Sequence, residues 1–197
     1  MDADSEQSTN TDLGRRLREL RKERHLSLKE LCARAQLSVA MLSHIERNQT
    51  NPSLKMLEKI CAGLGVEMAN LFPTQAADAT GEDAFVIRAD ARASLALPHG
   101  VTKQLLSPSH KKTLELFILK VAPNGSSGAE PLTRTGEKAG MLLQGQIRLT
   151  VGTRSFDIEE GDSFLFDSGL PHRFFNPGGV EARILWIIRP NPVANEL

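Results

Sequence analysis

The spacing of apolar residues changes near residue 73, and this change constrains the fold more than any other feature of the sequence. Before it, leucines recur every three to four residues, as at Leu13, Leu17 and Leu20, which is the period of an amphipathic helix. After Phe85, short alternating apolar stretches are separated by Gly, Pro and Asn, a pattern typical of short strands. The sequence therefore predicts a helical unit followed by an all-β unit.

Composition sets the boundaries of these units. Residues 1–11 are polar and predict a disordered tail, and residues 12–72 form the predicted helical unit, here called the head. The segment 73–84, PTQAADATGEDA, has no large apolar side chain and predicts a linker. Residues 85–197 form the predicted β unit, here called the body. The chain is thus expected to hold two domains of different class, one α and one all-β.

The charge of the whole chain hides a difference between these domains. There are 24 Lys and Arg against 24 Asp and Glu. If the chain formed a single domain, this balance would argue against nucleic-acid binding. Over residues 12–60, however, eleven basic residues stand against six acidic ones, so this part of the head carries +5. The rest of the chain carries the compensating acidic residues, so the neutral total does not exclude DNA binding by the head.

Other features exclude whole classes of protein. No stretch approaches the roughly 18 apolar residues of a membrane span, and the acidic start MDADSEQSTNTD does not resemble a signal peptide. Two cysteines are too few for a disulfide scaffold, so a reducing cytoplasm is the expected compartment. Cys32 and Cys61 fall on the apolar stripes of predicted helices, which favours core packing over redox sensing.

Helix-start signals divide the head into five predicted helices. Ser27 and Glu30 form a capping box at the start of the second helix, and residues 67–72 predict a brief fifth helix. The predicted N-caps of the first four helices are Asp12, Ser27, Ser38 and Ser53. Only two residues separate the second and third helices, a spacing that indicates a helix-turn-helix.

The third helix would be the one that reads DNA. Small and polar side chains at the start of such a helix can reach base edges in the major groove. The predicted base contacts are Ser38, Val39, Ala40, Ser43 and His44. The capped helix starts and nearby polar residues would hold phosphates. The predicted phosphate contacts are Ser27, Leu28, Arg47, Asn48, Thr50, Asn51, Ser53 and Lys55. The alternative is a helical bundle whose basic face is merely solvated.

Three stretches of the head resemble a known family. LGRRLRELRKERHLSLKELC, LSVAMLSHIERNQTNPSLKMLEKICAGLGV and MANLF are similar to the lambda-repressor-like, Xre-type helix-turn-helix family. The resemblance implies a five-helix bundle that binds DNA. Gln36 and Asn48 stand where this family commonly has Gly, so both are expected in the left-handed backbone conformation.

The body predicts nine short strands separated by turn residues. The predicted strands are 84–88, 101–106, 114–121, 140–143, 146–151, 154–158, 163–166, 172–176 and 183–189. Regular spacing of this kind indicates a sandwich or a small barrel, a jelly roll being one option. A small barrel has an interior that can hold one small ligand.

The body also resembles a known family, the cupins, through GSSGAEPLTRTGEKAGMLLQGQIRLTVG, FDIEEGDSFLFDSGLPHRFFN and ARILWIIRP. The resemblance implies a cupin β-barrel, also called a double-stranded β-helix or jelly roll. Cupins that bind metal use two His, a Glu and a third His. Here Leu132 and Arg134 stand at the His pair and Lys138 at the Glu, and only His172 matches. Glu137 is one residue out of register, so neither a metal site nor another cofactor is predicted.

The two cations in place of metal ligands suggest a different ligand. Arg134 and Lys138 beside His172 would be satisfied by a carboxylate or phosphate, which predicts a site for a small anionic metabolite. The predicted apolar wall consists of Leu142, Phe174 and Trp186. Alternatively, the two cations pair with Glu115, Glu130 or Glu137 in a solvated rim, and His172 is a hydrogen-bonded structural histidine rather than a ligand contact.

Taken together, these features predict a sequence-specific transcriptional regulator, a repressor rather than an enzyme, whose body senses a small effector. Proteins with this motif bind two half-sites about 34 Å apart as symmetric dimers, so a homodimer formed through the body is expected on double-stranded DNA. Two alternatives stay open. One is a metal-dependent cupin enzyme with a DNA-tethering head, and the other is a ligand-free scaffold that binds a partner protein.

Overall fold

The computed structural model describes residues 3–72, 86–107 and 114–190, with side chains from residue 13 onward. The predicted linker 73–84 and the C-terminal residues 191–197 lie outside the described residues. Within the described chain, no helix is both long and apolar enough to cross a membrane.

The head contains four α-helices and one 3₁₀ turn. The helices are α1 (Ala3–Glu23), α2 (Leu28–Ala35), α3 (Val39–Glu46) and α4 (Leu54–Leu64), and the 3₁₀ turn is Met68–Leu71. The predicted fifth helix over 67–72 is therefore wrong. Gly65 ends α4 in the left-handed conformation, and Phe72 is extended, as expected for a residue before proline. The few residues between them have room for a single turn.

The start of α1 also differs from the prediction. The helix begins at Ala3, so Asp12 lies inside it and is not its N-cap, and residues 3–11, expected as a disordered tail, continue the helix. These residues contain neither Gly nor Pro, so no residue interrupts the backbone hydrogen bonds of the helix there.

The other predicted caps are confirmed. The Ser27 hydroxyl accepts a hydrogen bond from the Glu30 amide at 3.2 Å, and the Glu30 carboxylate accepts one from the Ser27 amide at 2.7 Å. Ser38 and Ser53 cap α3 and α4 through the amides of residues 41 and 56. Each cap satisfies a backbone donor that has no partner within its helix, which fixes where the helix begins.

The turn between α2 and α3 is as tight as the sequence predicts. Gln36 ends α2 with φ 54° and ψ 48°, and Asn48, just after α3, has φ 56°. Both residues are therefore in the left-handed conformation that the resemblance leads us to expect. The position of α3 against α2 depends on this turn.

The described residues of the body form nine antiparallel strands in two sheets. The strands are β1 (Ser94–Leu97), β2 (Val101–Leu105), β3 (Glu115–Val121), β4 (Glu137–Gln144), β5 (Gln146–Val151), β6 (Arg154–Glu159), β7 (Ser163–Asp167), β8 (His172–Phe175) and β9 (Ala182–Arg189). One sheet has the order β1-β2-β3-β9-β4-β7 and the other β6-β5-β8. Eight of the nine predicted strands are present with shifts of up to three residues at their ends.

Two predictions for the body need correction. Of the predicted strand 84–88, residues 84 and 85 lie outside the described residues and 86–88 are irregular, so the first described strand is Ser94–Leu97. In addition, the described strands form two sheets rather than one closed barrel. The chain leaves the larger sheet at the register shift between Leu142 and Gln144, and isolated bridges such as Leu132 with His172 replace continuous pairing.

The head packs directly on the body. The last residue of the head, Phe72, places its ring 5.8 Å from that of Phe117 on β3, and the buried apolar residues of both domains form one cluster. Cys61 on α4 is close enough to Arg134 and Glu115 of the body for their charges to act on its thiol. The end of the head formed by α4 and the 3₁₀ turn therefore covers the interior of the body.

Candidate DNA and ligand sites

The predicted base-reading side chains occupy one side of α3. Val39 and Ser43, like Ala40 and His44, are four residues apart, the spacing that places helical side chains on a common face. Val39, Ala40 and His44 are exposed and Ser43 is half-buried. The opposite side of α3 is buried in the head, so the face with short side chains is the one available to a ligand.

An ion pair holds α3 against α1. The Arg21 guanidinium donates to both oxygens of the Glu46 carboxylate, at 2.6 and 2.8 Å, and to the backbone carbonyl of Leu26 at 2.9 Å. The hydrogen bond to Glu46 raises the pKa of Arg21. Because both carboxylate oxygens are engaged, this pair fixes the orientation of the reading helix.

The predicted phosphate contacts differ in accessibility. Ser27, Arg47, Asn48 and Asn51 are exposed, and Leu28, Thr50, Ser53 and Lys55 are half-buried. The Lys55 ammonium lies 2.6 Å from the carboxylate of Glu130 in the body. A cavity of about 250 Å³ at the start of α4 is lined by both domains, including Ser53, Lys55 and Glu130. In this arrangement the start of α4 faces the body.

Both cysteines are buried and free. Burial raises the pKa of the Cys32 and Cys61 thiols, which disfavours the reactive thiolate. Their positions agree with core packing, as the sequence analysis favours.

Lys138 lies in the interior of the body and its charge is met by the head. Its side chain is 2% exposed, and its ammonium is 2.9 Å from the carboxylate of Glu58 on α4 and 2.8 Å from Nε2 of His172. The predicted alternative, in which Lys138 extends outward to a solvated rim, is therefore wrong. The prediction that Lys138 and His172 lie together is confirmed.

His172 is fully buried, and its hydrogen bonds define its protonation. Nδ1 lies 2.8 Å from the carbonyl oxygen of Leu170 and donates to it, so Nε2 is left as an acceptor for the Lys138 ammonium. Burial and the nearby Lys138 charge lower the pKa of His172 to about 4. The imidazole is thus neutral near pH 7.

Arg134 links the two domains through carboxylates on both sides. Its guanidinium pairs with Glu67 of the head and lies 3.4 Å from Glu115 of the body. Glu115 is fully buried and also accepts a hydrogen bond of 2.6 Å from the backbone amide of Ala69 in the 3₁₀ turn. Pairing with Glu115 was among the predicted alternatives, whereas pairing with Glu67 was not.

A third buried cation completes this group. Lys103 on β2 places its ammonium 3.7 Å from the ring centre of Phe117, and burial lowers its pKa to about 8. We call Lys103, Arg134 and Lys138 the cation cluster, and Glu58 and Glu67 the head carboxylates.

The predicted apolar wall is only partly near the cation cluster. Gly140 on β4 pairs with Trp186, and the Trp186 ring lies 5.7 Å from that of Phe174, next to His172 along β8. Leu142 is buried in the same sheet but four residues from Lys138, about 13 Å along the strand. Leu142 therefore lies too far away to contact the same small ligand.

Comparison with known proteins agrees with this division of the chain. A family model described as "Helix-turn-helix" matches residues 17–71, and one described as "Cupin domain" matches residues 117–188. The chain belongs to the helix-turn-helix transcriptional regulators with a cupin domain.

Individual relatives support the same assignment. The helix-turn-helix regulator PuuR of Escherichia coli K12 is 25% identical over 172 residues, covering 87% of this chain and 91% of PuuR. SinR of Bacillus subtilis is 47% identical over 60 residues, 30% of this chain and 54% of SinR. The crystal structure of an HTH_3 family regulator from Vibrio cholerae aligns with TM-score 0.72 at 20% identity, covering 94% of this chain and 98% of that one, which shows the shared fold.

The cupin domain of this regulator lacks the residues that hold a metal in other cupins. Leu132 and Arg134 replace the His pair, and Lys138, which replaces the Glu, points inward as a cation. Glu137 pairs with Arg189 on the outer face of the sheet, as its register predicts. Among the residues that the structure describes, no three His, Cys, Asp or Glu form a group able to hold a metal ion. The donor set therefore does not fit a divalent cation.

Three charged residues of the interface were not predicted from the sequence of this helix-turn-helix cupin protein. Lys103 shares its strand face with the inward residues Val101 and Leu105, so a cation at an inward strand position was a usable signal. Glu58 and Glu67 carry no comparable signal, because their partners in the body are far away in the sequence.

Proposed function

We propose that this regulator is a sequence-specific repressor that binds its operator as a homodimer and whose body binds a small anionic metabolite without a metal ion or catalysis. We propose that it acts in the cytoplasm, because a repressor must reach its DNA operator. The cation cluster supports the choice of ligand class, because the buried Lys103 and Lys138 and the half-buried Arg134 need anionic partners.

The α3 face supports sequence-specific DNA binding. Ser43 and His44 can hydrogen-bond to base edges, while Val39 and Ala40 can contact thymine methyl groups. The charge of +5 over residues 12–60 is modest. We therefore expect operator affinity to depend on two heads and on base contacts, with weak non-specific binding at physiological salt.

This DNA interface can be tested on an operator selected from random duplexes by the full-length protein. Replacing Ser43 and His44 together by Ala removes two base contacts, each worth about 1–3 kcal/mol, so fluorescence anisotropy should show affinity falling by about 1.5 to 4 orders of magnitude. Ser155→Ala on β6 is the matched control and should leave affinity unchanged. Unchanged affinity in the double variant would exclude α3 as the reading helix.

The cation cluster favours a carboxylate or phosphate ligand. Arg134 offers a planar fork that can bind such a group with two parallel hydrogen bonds, and Lys138 adds a point charge beside it. Lys138 uses two N–H groups on described residues, Glu58 and His172, which leaves the third for a ligand. Because His172 is neutral, it neither repels a cationic ligand nor attracts an anionic one. The cation cluster therefore determines the sign of the charge that a ligand must carry.

A thermal-shift screen with succinate, inorganic phosphate and a linear diamine tests the ligand class. We expect stabilisation by an anion and none by the diamine, and Arg134→Ala should abolish the effect. Stabilisation by the diamine would overturn the anion assignment. If every probe fails and a pull-down recovers a protein partner, the body is a scaffold.

The outer face of the larger sheet supports a homodimer formed through the body. On this face Ala139 lies between Ile187 and Leu165 in neighbouring strands, and Met141 lies beside Leu185. Leu165 is 71% exposed and Met141 is 41% exposed. These residues form two apolar rows across the strands, and a second copy of the chain would remove them from water.

Charged rows on either side of the apolar rows favour a second copy as the occupant. Lys120 and Arg183 pair across the strands on one side, and Glu137, Asp167 and Arg189 form the other side with a net negative charge. A twofold axis parallel to the rows would bring the basic row of one protomer against the acidic row of its partner. The surface is therefore self-complementary, as a twofold interface must be.

Light scattering of a single variant tests this surface. Leu165→Glu places a charge in the centre of the apolar rows, so we expect a monomer with weakened operator binding. Val180→Glu, in an exposed loop outside the rows, is the matched control and should stay dimeric. A Leu165→Glu dimer of unchanged affinity would contradict this interface.

A further inference from the structure

We infer that the head carboxylates occupy the body's own anion site, so that docking of the head and binding of the effector exclude each other. This inference rests on the proposed anion site. Glu58 and Glu67 stand at the cations where the anionic groups of the effector would bind. The interface between head and body is then an internal competitor for the ligand.

Glu58 makes an incomplete contact in this site. Its side chain is 8% exposed, and only one of its oxygens is bonded, to Lys138 at 2.9 Å. The second oxygen, Oε2, is buried without a hydrogen-bond partner among the described residues. A buried acceptor without a partner carries a desolvation cost of about 1–3 kcal/mol. Glu58 is therefore bound less well than a ligand able to satisfy all of its own oxygens.

Glu67 shares its cation with another carboxylate. Arg134 pairs with Glu67 from the head and with Glu115 from the body, and Glu115 also accepts the amide of Ala69 in the head. A ligand anion at Arg134 would separate Glu67 from its cation. Glu67 would then lie beside Glu115 and the ligand, and the repulsion between these anionic groups would favour undocking of the 3₁₀ turn.

The charge balance specifies the ligand further. In the docked state the three cations of the cluster face Glu58, Glu67 and Glu115, and the neutral His172 adds no charge. When the head leaves, only Glu115 remains in the body, and the cluster carries a net charge of +2. Lys103 keeps its proton at neutral pH because its pKa, although lowered by burial, is about 8. A small dianion, such as a dicarboxylate or a phosphate monoester, would restore the balance that the two head carboxylates provide.

Two states of the protein follow from this competition. In one state the head is docked and the site holds Glu58 and Glu67, and in the other the site holds the dianion and the head is released. A ligand that binds only the second state shifts the equilibrium toward it, and removing the competitor must strengthen ligand binding by the same free energy.

Calorimetric titration of the full-length protein with succinate and with inorganic phosphate tests the competition. Glu58→Gln removes one competing charge, so we expect the better probe to bind more tightly by about 5- to 150-fold. Lys138→Met should abolish binding. Glu159→Gln, which alters an exposed carboxylate on β6 in the smaller sheet, should bind like the wild type. Glu67→Gln repeats the test at Arg134, so the competition stays testable if Glu58→Gln does not fold.

The outcomes separate the competition from the anion site itself. If Glu58→Gln and Glu67→Gln bind the probe no more tightly than the wild type while Lys138→Met loses binding, the anion site stands and the competition is wrong. If neither probe binds to the wild type or to either Gln variant, the anion site fails and the competition fails with it. Tighter binding by either folded Gln variant, with binding lost in Lys138→Met, supports both.

Discussion

Two buried ion pairs on the head have similar burial but different completeness. The Glu46 side chain is 6% exposed and that of Glu58 is 8% exposed. Glu46 uses both oxygens on Arg21, and both residues belong to the head. Glu58 uses one oxygen on Lys138, which belongs to the body, and its other oxygen has no hydrogen-bond partner in the described part of the chain. Burial alone therefore does not distinguish a permanent pair from an exchangeable one.

The difference lies in what can replace each partner. Separating Arg21 from Glu46 requires the head to unfold, because α1 and α3 share one core. Separating Glu58 from Lys138 requires only that the head leave the body, and a small anion can take the place of the carboxylate. The first pair positions the reading helix, whereas the second can respond to a ligand.

The largest effect is expected from breaking the permanent pair. Arg21→Ala leaves the Glu46 carboxylate buried without a cation, which should lower the free energy of unfolding by about 3–5 kcal/mol. Urea denaturation followed by circular dichroism measures this loss. Arg18→Ala, on the exposed side of the same helix, is the control and should change stability by less than about 0.5 kcal/mol. If Arg21→Ala also lowers the free energy of unfolding by less than about 0.5 kcal/mol, the ion pair does not stabilise the head.

A second change tests how closely α1 approaches the end of α3 at Gly14, about two helical turns before Arg21. A Cβ atom at Gly14 would overlap the carbonyl oxygen of Ile45 and the side chain of Asn48. Gly14→Ala should therefore cost about 1–3 kcal/mol, although alanine is the better helix former. Gly179→Ala, where an added Cβ meets nothing within 4 Å, is the control. Greater stability in Gly14→Ala would mean that the two helices are not in contact there.

The exchangeable pair should respond to a ligand, and the permanent pair should not. Glu58→Gln leaves Lys138 without its carboxylate and should lower the free energy of unfolding by about 1–3 kcal/mol. Saturating succinate should reverse this loss in Glu58→Gln and leave the loss in Arg21→Ala uncorrected. Equal correction of the two variants in urea titrations would indicate a general effect of the salt rather than occupation of the site.

The smallest effect at neutral pH concerns His172, which faces Lys138 and, beyond it, Glu58. Its pKa in the folded protein is about 4, against 6.5 in an unfolded chain. As pH falls from 6.5 toward 4, the unfolded state takes up a proton first, so stability decreases across this window. His172→Gln should flatten that part of the pH profile and change nothing near pH 7. His44→Gln, at an exposed histidine, is the control. If the stability of His172→Gln falls between pH 6.5 and 4 as steeply as that of the wild type, His172 is not buried in its neutral form.

Local signals in the sequence predicted much of the fold. Ser27, Ser38 and Ser53 identify three helix starts because capping depends on neighbouring residues. Alternation identified eight strands, but Ser94–Leu97 was missed because it offers only two large apolar residues. The strand order within the two sheets could not be predicted, because strand pairing depends on contacts distant in sequence.

The candidate ligand site was predictable only in its body half. The residues that replace metal ligands identified Arg134 and Lys138, and the alternation of β2 could have added Lys103. Glu58 lies 80 residues from Lys138, and Glu67 lies 67 residues from Arg134. Nothing in local spacing connects residues so far apart, so the pairing of head and body needed the three-dimensional structure.

We claim that the head carboxylates hold the head on the body, and the reactivity of Cys61 tests this most directly. Cys61 is buried on α4 beside charged groups of the body, while Cys32 is buried within the head. Alkylation of both thiols can be followed by mass spectrometry in the wild type and in a Glu58→Gln, Glu67→Gln double variant. We predict that the double variant exposes Cys61 and leaves Cys32 protected. Equal protection of Cys61 in both proteins would contradict the claim.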